Sequence, residues 1–184
     1  MACKKCQTEP VYVLQNHEPL CKQHFVHYFE KKVLKTIRTY KMIEKGDVLV
    51  SALSGGKDSM TCLYLLHQYC EKQGIPVKAL AIDEGIEHYR KQTLKDAATF
   101  CKTYKIPLTT LSFQKMFGFT LDNFLKDHKM NPCTACGISR RYLINRGARE
   151  LGATKVATGH NLDDEAQTLL MNQFKGNVSL SAKL

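Results

Sequence analysis

The chain has no long apolar run. None of its stretches is hydrophobic enough for a membrane span, and its start lacks the apolar core of a signal peptide, so no membrane partner is expected. Acidic side chains are the scarce charge: 17 Asp and Glu stand against 27 Lys and Arg, for a net charge of +10. That balance, with a pI near 9.2, points to a polyanionic partner, nucleic acid first, although a basic surface also serves solubility. The common nucleotide P-loop, Gly-x-x-x-x-Gly-Lys-Ser/Thr, is missing as well. Ser51 stands where its first glycine belongs, and Asp58 follows Lys57 in place of the hydroxyl residue. What the chain does have is 8 cysteines, two pairs of them spaced Cys-x-x-Cys, which suggests metal sites before disulfides and a reducing, cytosolic compartment. Its 184 residues, 43% of them apolar, suffice for one α/β domain with a small appendage.

The organising stretch runs from Val48 to Ser59. Val48 to Leu53 is an apolar run that reads as a buried strand. It breaks into Ser54-Gly55-Gly56, where backbone amides can approach a ligand without a Cβ in the way. From Ser59 the residues Met60, Leu63, Tyr64, Leu66 and His67 recur at helical spacing. A strand, a glycine loop and a helix N-terminus together make an anion cradle, because unpaired amides and the positive dipole end face the loop. Lys57 adds a mobile positive charge, and a phosphate ligand is the natural reading. A plain strand-to-helix turn with packing glycines is the bland alternative.

The first segment carries Cys3-x-x-Cys6 and Cys21-x-x-His24, separated by 14 residues, which fits a tetrahedral structural zinc site. Val11 to Leu14 reads as one arm of a hairpin with its turn at Asn16 to Pro19. An amphipathic helix is expected from Phe25 to about Lys45, ended by Gly46. Lys31, Lys32, Lys35, Arg38 and Lys41 crowd its polar faces, and residues 1–46 hold 9 basic against 4 acidic side chains. A solvated face and an RNA-backbone contact are both open there.

Further strands are expected at Val77–Ile82, Pro107–Ser112 and Lys155–Thr158. Helices are expected at about His88–Lys105, Ile138–Leu151 and Glu165–Phe174, with a short helix and loop over Lys115–Lys129. Alternating strands and helices imply an α/β fold with a parallel sheet, whose ligands sit beyond the strand C-termini. Cys133 and Cys136, at a helix start beside Arg140 and Arg141, should be acidic, reactive thiols. A buried or disulfide-forming pair is the alternative. Asp163 and Asp164 follow the last strand, where two carboxylates suit Mg²⁺ and where an acidic helix cap would be the cheaper use of either.

Ser54-Gly55-Gly56-Lys57-Asp58-Ser59 resembles the PP-loop of the N-type ATP pyrophosphatases, which transfer AMP rather than the γ-phosphate. With Cys3/Cys6/Cys21/His24, Asp83-Glu84-Gly85-Ile86, Cys133-Thr134-Ala135-Cys136 through Arg141, and Thr158 through Ala166, the whole set resembles the cytoplasmic tRNA 2-thiolation proteins. That resemblance implies adenylation of a tRNA uridine at its C2 carbonyl by ATP with Mg²⁺, then sulfur transfer to give 2-thiouridine. It implies that Ser54, Gly55, Gly56, Lys57, Asp58 and Ser59 hold the phosphates, with Asp58 catalytic or Mg²⁺-orienting. Ala81, Arg140, Gly159 and Asp164 would contact the nucleotide. Cys133 and Cys136 would act in catalysis as ligands of a 4Fe–4S cluster. The sulfur donor would be a ubiquitin-like thiocarboxylate protein or sulfide, and a homodimer is an allowed assembly.

The expected division is a zinc knuckle at 1–24, a basic linking helix at 25–46 and the PP-loop domain at 47–184. The family carries a third cluster cysteine and usually a second zinc module further on, so Asn177–Leu184 reads as an interrupted stretch of a truncated version. Rival readings are a 2-thiocytidine synthetase, a PP-loop amide-forming ligase and a non-catalytic RNA-binding fragment.

Overall fold

Pro and the tight Cys-rich turns of the first segment leave room for only two short strands. In the computed structural model, which describes residues 2–87, 89–177 and 179, these are β1 (Tyr12–Val13) and β2 (Pro19–Leu20), paired antiparallel. Their turn closes through the Leu14 N–H to the Glu18 carbonyl at 2.9 Å, with His17 in the left-handed region at φ 62°. Helix α1 (Lys22–Thr39) follows, so it starts before Phe25 and takes His24 into its first turn. It also ends earlier than Lys45. Lys41 turns left-handed at φ 47°, its N–H reaches the Arg38 carbonyl at 3.2 Å, and the Met42 N–H reaches Ile37 at 3.0 Å. These two bonds close a Schellman end without glycine, and Gly46, at φ 97°, lies in the turn beyond. Cys3, Leu20 and Cys21 form a small core with Leu14, Phe25 and Tyr28. Residues Met1–Lys45 form one compact unit and Gly46–Leu184 a second.

The second unit is built on four parallel strands. The Val/Leu run forms β3 (Leu49–Ala52), and the Gly56-capped helix α2 (Lys57–Gln73) leads to β4 (Val77–Asp83). Helix α3 (Tyr89–Thr103) and β5 (Leu108–Ser112) come next. His88, expected to open α3, lies outside the described residues. Where one short helix was expected there are two, α4 (Phe113–Phe117) and α5 (Leu121–Asp127). Gly118 at φ 81° separates them, and Ser112 and Thr120 cap them by accepting from Lys115 N–H and Asn123 N–H. Helix α6 (Pro132–Glu150), β6 (Lys155–Ala157) and α7 (Leu162–Phe174) complete it, and Val178 and residues 180–184 of the expected interrupted end fall outside the described residues.

The strand order is β5-β4-β3-β6. Leu49 pairs with both Val77 and Lys155, and Ala81 pairs with Thr110. Strand β4 is central and buried along nearly its whole length, as a parallel strand covered on both faces should be. Two right-handed crossovers in one direction put α2 and α3 on one face, and the return crossover puts α6 on the other. On the α6 face, Leu143 and Ala148 pack with Val50, Leu80, Ile82 and Phe113. Gly147 lets α6 sit close, since a Cβ there would lie 2.8 Å from Leu111 and 2.9 Å from Leu80. The order reverses between β3 and β6, and ligands of such sheets bind beyond that switch point. No helix among the described residues is long and apolar enough to cross a membrane.

Candidate functional site

The glycine loop falls at the C-terminal end of β3, beside the switch point. Ser54 Oγ and Ser59 Oγ are 2.8 Å apart, the Ser54 N–H donates to Ser59 Oγ at 3.2 Å, and the Gly56 N–H donates to Ser54 Oγ at 3.3 Å. Ser59 Oγ in turn donates to the Gly56 carbonyl at 3.0 Å. The two serines thus tie the loop to itself. No side chain caps α2 at Gly56, so its first-turn amides stay open for an anion. Lys57 and Asp58 are exposed at that mouth and Ser59 is buried beneath it.

The β6–α7 loop meets this loop directly. A Cβ on Gly159 would lie 2.6 Å from Ser59 Cα and 2.7 Å from Ser59 N, so only glycine fits. Asn161 caps α7 and Asp164 completes a capping box: Asp164 N–H donates to Asn161 Oδ1 at 3.1 Å, and Asn161 N–H donates to Asp164 Oδ2 at 2.9 Å. One Asp164 oxygen is therefore already used in shaping the loop, while Asp163 is exposed. Ala81 is completely buried inside β4, so its side chain offers a nucleotide no surface. An open groove of about 370 Å³ between α2 and α3 shares Lys57 with the loop and is otherwise lined by Met60, Thr61, Tyr64, Phe100 and Tyr104.

Sequence reasoning missed the support behind the loop. Arg90, 6% exposed, donates from Nη1 to the Ser54 carbonyl at 2.5 Å and from Nε to the Ile82 carbonyl at 2.8 Å. Its Nη1 also meets Thr93 Oγ1 at 3.2 Å. Arg90 and the buried Ala97 and Cys101 share the helical repeat of α3's inner face. A charged residue at an apolar position of the period was the signal available. Glu84, just past β4, is 1% exposed and lies 2.7 Å from both Arg90 Nε and Arg140 Nε.

Cys133 and Cys136 lie within α6, not before it, because Asn131 caps the helix by accepting from Cys133 N–H and Thr134 N–H. Arg140 reaches back one turn, its Nη2 3.2 Å from Cys136 Sγ. The expected acidic thiolate is not what the environment of Cys136 makes. Burial pushes that thiol up, Arg140 only partly opposes it, and the charge of Glu84 adds to the rise. The pair offers two soft donors to an iron–sulfur group. Among the described residues no third ligand groups with them, so they fit such a group as part of its ligand set.

At the other unit, the donor atoms of Cys3, Cys6, Cys21 and His24 all lie within 4.8 Å of one another. Cys21 Sγ is 3.3 Å from His24 Nδ1, Cys3 Sγ is 3.5 Å from it, and Cys6 Sγ is 3.5 Å from Cys21 Sγ. A tetrahedral zinc with thiolates at about 2.3 Å needs similar separations, so this set fits the ion. Thr8 and the His24 backbone hold the Cys21 thiol down to about 6. Burial raises Cys3, but hydrogen bonds from Cys21, Lys5, Cys6 and His24 leave it below its ordinary value. His24 is raised by Cys21 and Cys3. Lys31, Lys32, Lys35 and Arg38 are exposed along α1, with Lys32 Nζ 5.5 Å from the Tyr28 ring centre, and Lys41 sits past the helix end.

A self-tied glycine loop with open amides at the switch point of a parallel sheet defines a phosphate-cradling nucleotide-binding domain. The chain belongs to the PP-loop domain family, whose sequence model matches residues 26–183. It is 38% identical to cytoplasmic tRNA 2-thiolation protein 1 of Drosophila mojavensis, over 88% of this chain and 48% of that protein. It is 37% identical to the tRNA-5-methyluridine(54) 2-sulfurtransferase of Pyrococcus horikoshii, over 100% of this chain and 57% of that protein. Its fold is similar to that of the U34-tRNA thiolase NcsA from Methanococcus maripaludis, solved with its [4Fe-4S] cluster. That match has a TM-score of 0.84 and 36% identity, covering 97% of this chain and 59% of that one. The chain thus spans about half the length of the curated relatives it matches.

Proposed function

We propose that this chain is the nucleotide-binding part of a cytoplasmic tRNA 2-thiouridine synthetase. The observation that carries the reading is the loop itself: Ser54 to Ser59 at the switch point, sealed by Gly159, in a chain similar over 88–100% of its own length to tRNA 2-thiolation and 2-sulfurtransferase proteins. A uridine C2 carbonyl oxygen is a poor leaving group. In the proposed step it attacks the α-phosphorus of ATP, pyrophosphate departs, and the oxygen becomes part of an AMP ester. Sulfur then adds at C2 and AMP leaves with the oxygen. The amides of the loop and Lys57 hold the β- and γ-phosphates as charge builds on the departing pyrophosphate. Asp58 and Asp163 are exposed carboxylates that would orient Mg²⁺ there, with Asp164 offering its second oxygen.

Cys133 and Cys136, with a thiolate from outside this chain, would hold a 4Fe–4S cluster, whose chemistry is to present the sulfur. The donor is a ubiquitin-like thiocarboxylate protein or sulfide. Residues 1–24 serve as a zinc knuckle and 25–46 as a basic link whose Lys31, Lys32, Lys35, Arg38 and Lys41 meet tRNA phosphates. Residues 47–184 carry the adenylation. The test is α-labelled ATP with unmodified tRNA. Pyrophosphate and AMP are the expected products, and Asp58→Ala removes them while leaving the circular dichroism spectrum unchanged. ADP and orthophosphate would overturn the PP-loop chemistry.

A further inference from the structure

Glu84 is a buried carboxylate that the proposed chemistry does not use. It follows β4 at the sheet's C-terminal edge, 1% exposed, between two guanidinium groups. Its Oε1 accepts from Arg140 Nε at 2.7 Å, and its Oε2 lies 2.7 Å from Arg90 Nε. That second oxygen accepts no hydrogen bond among the described residues, because the Arg90 Nε–H is spent on the Ile82 carbonyl. A buried, incompletely bonded carboxylate is a poor source of stability: its desolvation is only partly offset by its partners. What it does achieve is a shared register for two arginines on two different elements. Arg90 grips the phosphate loop from behind through the Ser54 carbonyl. Arg140, whose side chain is 46% exposed, reaches Cys136 Sγ with one nitrogen and has further donors without a partner among the described residues.

We infer that Glu84 is a positioning residue that sets Arg140 and, through Arg90, the phosphate loop, so that the nucleotide end and the thiol end of the site are held by one carboxylate. This rests on the reading of Ser54–Ser59 as an ATP loop and extends it. Arg140 is then a nucleotide ligand only while Glu84 aims it. A shorter side chain cannot reach both guanidinium groups, and a neutral one cannot hold them by charge.

Glu84→Gln alone leaves Arg90 buried without a counter-charge and can lose the fold for that reason. The experiment therefore uses the pair Glu84→Gln/Arg90→Met, which removes both buried charges, together with Arg140→Met at the half-exposed partner. Dissociation constants for Mg·ATP and melting temperatures are measured for the 184-residue chain, the pair, Arg140→Met and the triple variant.

Expected are a folded pair that binds ATP about tenfold more weakly, the order of one misaligned charge-assisted hydrogen bond. The triple variant should be no weaker than the pair, because residues acting as a unit are not additive. Glu84→Asp alone should also bind Mg·ATP more weakly than the unaltered chain. Wild-type affinity in the folded pair, or a full additional loss on adding Arg140→Met, would overturn the inference while leaving the ATP reading intact. Failure of the unaltered chain to bind ATP would instead remove the ATP reading and, with it, the role assigned here.

Discussion

In the sequence, Gly55 and its neighbour Gly56 look alike, as residues that let a ligand approach the backbone. Their surroundings separate them. Gly55 sits at φ 84°, and a Cβ there would lie 2.2 Å from the Thr93 carbonyl oxygen. Gly56 meets nothing nearer than Ser54 Oγ at 3.4 Å. Gly55 is therefore needed first for the loop's seat on α3, a long-range contact that no local motif encodes. Gly55→Ala should cost about 2–4 kcal/mol, from left-handed strain plus overpacking against backbone, read as a fall in urea midpoint. Gly56→Ala should cost under about 1 kcal/mol. Equal losses would mean that the loop moves freely on α3. The same limit hid Glu84 and Arg90: a sequence shows a charge at an apolar position of a helix, but not the partner from another element that makes the position tenable.

At the scale of elements, periodicity located every strand of the parallel sheet and most helices of the second unit to within a few residues. It failed where ends are set by bonds rather than by residue type. The end of α1 came at Thr39 because Lys41 adopts the left-handed turn usually given to glycine, and the start of α6 moved ahead of both cysteines because of the Asn131 cap.

The inner faces of α2 and α3 carry Cys70 and Cys101, which are 0% and 2% exposed. Burial pushes each thiol up to about 11, with the charge of Asp47 adding at Cys70. The fold thus favours the protonated form of both. Their contribution is complete below the unfolded thiol value near 9 and is lost as pH rises from about 9 to 11. Each accounts for about 2–3 kcal/mol over that window, since one unit is about 1.4 kcal/mol. Urea unfolding at pH 8.5, 9.5 and 10.5 should show a steeper loss for the native chain than for Cys70→Ala/Cys101→Ala. The variant starts lower, because it leaves small cavities. Parallel pH slopes would mean that the two thiols titrate normally.

On the scale of the whole chain, each unit depends on a different kind of glue. The second unit has a layered core on two faces of its sheet, whereas residues 2–21 of the first have three buried side chains, two of them cysteines of the candidate metal set. So small a segment would gain its folding energy from an ion held by that set. Chelation, or Cys3→Ser/Cys6→Ser, should abolish the single bound zinc. It should also unfold residues 2–21 while the sheet keeps its melting transition. Elemental analysis and amide exchange check both halves, and zinc retained at full stoichiometry in the variant would show that the ligands are others. This set was legible in the sequence because Cys-x-x-Cys and Cys-x-x-His are local spacings, each spanning one turn, and only their meeting needed the fold.

The cysteine pair of α6 is a different case, legible as a motif but not as a site. Cys133 and Cys136 come from one helical turn, and a 4Fe–4S centre generally needs three or four thiolates. The remaining thiols outside the zinc set are poor candidates. Cys70 and Cys101 are buried among helix contacts with thiols held protonated, and Cys62 Sγ faces the Thr158 carbonyl at 3.7 Å with its own thiol pushed up by burial. Cys70 and Cys101 have almost no exposed surface with which to meet a cluster, and among the described residues none of the three groups with Cys133 and Cys136. Anaerobic reconstitution of the 184-residue chain with iron and sulfide should therefore give well under one cluster per chain. A longer version that supplies one more exposed cysteine should hold a full cluster, lost in Cys133→Ser or Cys136→Ser. A stable, stoichiometric cluster on the 184-residue chain that disappears with Cys62→Ser, Cys70→Ser or Cys101→Ser would show that the fold rearranges to bring a core thiol to α6.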